Sequence, residues 1–163
     1  MPEISLFGWF HTIVGILALI SGFYTLAKFK VIRLAQTSGR AYLVLTLVAA
    51  ASALGIYKHG GFGVAHALAV LTILAVLVGA MAEKTRLFGR LSRYLQAASY
   101  SATLLFHMIP AITDFLMRLP SDAPFVTELE DPLLQGFYLA FLVAFVVGFG
   151  LQVAWLRKNP EPQ

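Results

Sequence analysis

Histidines and one carboxylate are the side chains best equipped for chemistry in this otherwise apolar sequence: His11, His59, His66, His107 and Asp114. A neutral imidazole ligates haem iron as well as Zn, Cu or non-haem Fe, and a carboxylate can orient a ligating imidazole or join it on a metal. His107 and Asp114 share a stripe that runs Arg93, Gln96, Tyr100, Thr103, His107, Pro110, Asp114, Met117. Its steps alternate three and four residues, which places all eight on one face of a helix. A polar line through a membrane-length helix is costly unless it faces protein, water or a cofactor. Pro110 removes one helix hydrogen bond three residues after His107, and an ordinary kink explains it equally well.

The elements that must position these groups follow from composition. The chain has 163 residues, of which 59% are hydrophobic and 12% charged. Soluble domains carry about twice that charged share, so the expected fold is all-α: an integral membrane helical bundle of one domain. Apolar runs predict five transmembrane spans, at about 5–27, 41–57, 62–83, 89–117 and 133–156. Four would form the core and the fifth would pack outside. With no Cys, the chain has no disulfides and no thiolate-ligated centres. The net charge of +4 does not point to nucleic acid, because the basic residues sit in short loops beside apolar runs.

Those loops predict a topology. The first and third connections and the C-terminal tail hold ten of the twelve Lys and Arg, leaving Lys58 and Arg118 for the other side. The positive-inside rule then places the N-terminus outside and the C-terminus in the cytoplasm. In that frame His11, His66 and His107 lie at similar depth below the outer surface, roughly 6–10 Å at 1.5 Å per residue. His59 is expected to be a solvated turn residue.

A small-residue face, Gly8, Gly15, Ala18 and Gly22, surrounds His11, and Gly63 and Ala69 flank His66. Such grooves suit either close helix packing or a flat cofactor. In an up-down bundle the first and third helices are diagonal, so His11 and His66 could face each other as axial haem ligands. For a bare metal ion, His107 and Asp114 would join them. Tyr100 and Thr103 would form the surrounding shell, or simply bond carbonyls one turn back. Pairing of Asp114 with Arg118, four residues on, is the plainer alternative. In the fifth run Phe137, Phe141, Phe145 and Phe149 recur every four residues, an expected surface for lipid or another subunit. No phosphate loop, hydrolase elbow, HExxH or catalytic carboxylate pair is present.

His11 with Gly15, the run Ser38-Gly39-Arg40-Ala41-Tyr42, and Gly63 with His66 resemble an uncharacterised family of bacterial four-helix membrane proteins, itself similar to b-type membrane cytochromes. The resemblance covers about residues 8–118. Members carry a His-Arg pair shortly before the Gly-Arg-x-Tyr element, where this chain has Ala35 and Gln36. It implies a haem or redox role for His11 and His66. The leading expectation is therefore a small bacterial inner-membrane protein that holds b-type haem, or a Zn, Cu or Fe ion. It would pass electrons between quinol and an outer redox partner. The alternatives are a non-redox accessory subunit that packs through its fifth helix, and a small transporter whose polar path is the fourth-helix stripe.

Overall fold

The computed structural model describes residues 4–57 and 61–160, so Lys58 and His59 lie outside the described residues. It is an all-α bundle of five helices: α1 (Leu6–Phe29), α2 (Thr37–Ala53), α3 (Val64–Thr85), α4 (Ser92–Arg118, preceded by a 3-10 turn at Gly89–Leu91) and α5 (Pro132–Lys158). Local chemistry sets the ends. Ser5 caps α1 by accepting from Gly8 N–H at 3.1 Å, and Asp131 caps α5 by accepting from Leu133 N–H at 2.8 Å, with Pro132 in the first turn.

α2 starts four residues before the expected 41 and stops at Ala53. The apolar run alone placed it too late, because Ser38-Gly39-Arg40 already belongs to its first turn. There Gly39 lies against the Arg33 carbonyl, where a Cβ has no room. α1, α3, the segment Gly89–Arg118 and α5 are long and apolar enough to cross a membrane. With 17 residues α2 is the short helix of the set, about 25 Å at 1.5 Å per residue.

α1 packs on α2, α2 on α3 and α3 on α4, and a lesser α1–α4 contact closes the ring. Ala18, Ile32, Tyr42, Leu43, Val76, Tyr100 and Leu104 form the buried centre. Gly79 is what admits the Tyr100 ring, which lies directly against its Cα. α5 joins the outside of this ring through α4. Its Phe row is not the outward face. Phe137, Phe141, Phe145 and Phe149 are half-buried, and Phe137 and Phe149 pack on clusters shared with α4. The exposed side carries Leu139, Leu142, Val143, Val146 and Val147. A helix made of apolar residues all round gives no polar stripe to orient it, and ring area went to the protein contact. α1 and α3 expose similar apolar rows, such as Ile13, Ile16 and Ile20, and Leu71, Leu74 and Leu77. These surfaces fit contact with a lipid bilayer.

Candidate functional site

The histidines do different work. In α1, the His11 Nδ1 lies 3.0 Å from the Ala49 carbonyl oxygen and 3.0 Å from Ser52 Oγ, both on α2. Ser52 spends its own proton on the same carbonyl at 2.8 Å. A hydroxyl has one proton to give, so both contacts of the imidazole require Nδ1 to be the donor. His11 therefore carries its proton on Nδ1 and its lone pair on Nε2.

His107, from α4, reaches α2 one turn away, with Nε2 at 3.2 Å from Thr46 Oγ1. Beneath them the α4 stripe is buried and bonded. Tyr42 meets Thr103 Oγ1 at 2.5 Å, and Thr103 gives its only proton to the Tyr100 carbonyl at 2.7 Å. Tyr42 is thus the donor of that pair. Tyr100 in turn donates to Glu83 Oε2 at 3.1 Å. The stripe turns outward past His107: Pro110 is exposed and Asp114 only half-buried.

His66 has a different set of partners. It is the third residue of α3, and its Nδ1 accepts from the Gly63 N–H at 3.1 Å. An acceptor nitrogen is deprotonated, so the proton is on Nε2. That nitrogen is buried, in a residue only 4% exposed, and has no hydrogen-bond partner among the described residues. Two rings lie beside the imidazole, Tyr57 with centroids 4.7 Å apart and Phe62 at 5.2 Å. A buried donor without an acceptor costs about 1–3 kcal/mol.

Compared with protein-family models, with curated proteins and with solved structures, the chain matches none.

The geometry bears on each expected ligand. Asp114 forms an i,i+4 ion pair with Arg118 at 2.9 Å, the plainest of its expected pairings. Among the described residues, no three His, Asp or Glu stand together as a metal-holding group. His11 is in the tautomer that a metal accepts. His66 is not: as bonded here, its Nε2 offers a proton rather than a lone pair. Ligation of a haem iron through His66 Nε2 would require the ring proton to move to Nδ1 and the bond from Gly63 to be given up. The lower part of the His11 groove is filled by helix packing, since Gly22 lies against Tyr42 and Leu104.

The roles of three residues escaped the sequence reading: Glu83, Gln96 and Gln152. Both Glu83 oxygens accept from Leu34 N–H, at 3.0 and 3.1 Å. Gln96 donates to the Ile32 carbonyl at 2.8 Å, and Gln152 to that of Lys30 at 3.0 Å while accepting from Ser101 at 2.9 Å. Three helices thereby pin the loop after α1. Gln96 was visible as part of the α4 stripe, but nothing local marked its partner.

Proposed function

We propose that this chain is an integral protein of a bacterial inner membrane, N-terminus outside, that binds a lipid-soluble quinone or quinol through His66. The observation that carries the reading is the buried Nε2–H of His66, which has no acceptor among the described residues and has two aromatic rings beside it. A quinone supplies what this setting lacks: a carbonyl oxygen for the proton and a flat ring for Tyr57 and Phe62. Its isoprenoid tail suits the exposed apolar helix faces. In the positive-inside orientation this end of the bundle is the outer one, so a bound quinol would stand near an outer redox partner.

The transport reading has the buried α4 line in its favour. That line is interrupted where Thr103 bonds a backbone carbonyl, which cannot pass a proton on. The line suits helix adhesion better, since buried side-chain hydrogen bonds join membrane helices.

The test is titration of the purified full-length protein in detergent with a short-chain benzoquinone, followed by calorimetry. One neutral hydrogen bond contributes about 0.5–1.5 kcal/mol. His66→Phe keeps an aromatic ring but removes the donor, and should weaken binding by roughly twofold to twelvefold. Equal affinity in the two proteins would remove His66 from the site, and no binding by the wild type would end the quinone reading.

A further inference from the structure

At the opposite end of the bundle, a cleft of about 390 Å³ opens where the end of α1, the following loop and the last turns of α5 meet. Lys28, Lys30 and Arg33 line it beside Phe29 and Trp155. We infer that this cleft binds the phosphate of an anionic membrane phospholipid.

Charge and donor supply come first. An ammonium has three donors. Lys28 Nζ uses one on the Tyr24 hydroxyl at 3.2 Å, and Lys30 Nζ uses one on the Ala27 carbonyl at 2.8 Å. Each retains two for phosphate oxygens. The Lys28 ammonium also lies 5.5 Å from the Tyr24 ring centroid and 5.3 Å from that of Phe29, which restrains it beside the helix end.

The floor of the cleft is held in place. Lys30 has the left-handed backbone that closes α1, with φ of 68° and its N–H on the Leu26 carbonyl. Val31 and Ile32 beside it are buried. Gln152, Gln96 and Glu83 fix the loop from three other helices. The cations therefore project from a rigid support, which lowers the ordering cost of binding.

Position identifies the source of the phosphate. The cleft lies at the ends of two membrane-length helices, with Trp155 in its wall, and the ends of spanning helices are where headgroups meet hydrocarbon. A freely soluble phosphate gains nothing from Phe29 and Trp155. A lipid gains the exposed apolar faces of α1 and α5 for its acyl chains.

The test is native mass spectrometry of the full-length protein with an equimolar mixture of phosphatidylglycerol and phosphatidylcholine. The wild type should retain the anionic lipid at least fivefold over the zwitterionic one. Lys28→Gln combined with Lys30→Gln should reduce that preference to below twofold. Lys84→Gln combined with Arg90→Gln, basic positions outside the cleft, should leave it intact. Equal retention of both lipids by the wild type would overturn the inference, as would loss of preference only in the Lys84/Arg90 protein. In a separate arm, inorganic phosphate at the same concentration should not displace the lipid. Displacement would assign the cleft to free phosphate instead.

Discussion

Glu83, in the last turn of α3, closes the loop after α1 by accepting from the Leu34 N–H with both carboxylate oxygens, at 3.0 and 3.1 Å. The same carboxylate accepts from Tyr100, so one side chain ties α3, α4 and a connecting loop together. Removing it strands a backbone donor and a phenol at once. Glu83→Ala should lower stability by about 2–4 kcal/mol. Glu83→Gln, which keeps one acceptor oxygen, should lower it by less. Thermal unfolding in detergent checks the order, and a Gln variant worse than the Ala variant would contradict the role assigned to the carboxylate oxygens.

Gly79 is the second structural pivot. Its Cα faces the Tyr100 ring so closely that a Cβ cannot be added without moving the ring. Gly79→Ala should cost about 1–3 kcal/mol by overpacking. Gly148→Ala, where a Cβ meets nothing within 4 Å, should cost nothing or stabilise the helix. Equal Tm values for the two variants would show that the ring relaxes freely.

Asp114 distinguishes an ordinary ion pair from a ligand. It is part of an i,i+4 pair whose side chains are 16% (Arg118) and 39% (Asp114) exposed. Such pairs contribute about 0.3–0.5 kcal/mol. Asp114→Asn should change Tm only slightly and leave quinone affinity as it was. A large loss of quinone affinity would mean that the carboxylate serves the ligand site.

How much of this was legible depends on the range of each interaction. The helices follow from runs of apolar residues, and the α4 face from its alternating three and four spacing, because both patterns are local. The pinned loop was not legible: Glu83 meets its partner across 49 residues, Gln96 across 64 and Gln152 across 122. The direction of the α5 Phe row was hidden because that helix is apolar on every side. His11 and His66 were legible as polar groups near helix starts, but their tautomers were not. A tautomer depends on whether a ring nitrogen meets an N–H or a carbonyl, and Gly63 and Ala49 supply one of each.

Topology offers an independent check on the proposed orientation. In the proposed orientation the basic residues after α1, between α3 and α4 and after α5 face the cytoplasm, as the positive-inside rule asks. A reporter fused after Gln163 should read as cytoplasmic, and one inserted at 121–131 as external. The reverse pattern would put His66 on the cytoplasmic side and detach the quinone site from an outer partner.

The two histidine chemistries lead to opposite outcomes for apparently similar substitutions. His11 donates from Nδ1 to the Ala49 carbonyl and Ser52, so it ties α1 to α2. His11→Ala removes that tie and leaves a cavity beside α2. It should lower stability by about 1–3 kcal/mol while quinone affinity stays within twofold of wild type. His66 contributes a donor that no group among the described residues accepts. His66→Phe forfeits the bond from Gly63 N–H at the start of α3, a cap worth about 0.5–2 kcal/mol. It also relieves the buried donor, so the net change in Tm should be small while quinone affinity falls. His66→Ala should lose affinity further, since the ring beside Tyr57 and Phe62 goes as well. Thermal unfolding with and without quinone separates the two residues. If His11→Ala abolished binding and His66→Phe left it unchanged, the ligand would belong beside His11 and His107, and the site at the start of α3 would be an ordinary helix cap.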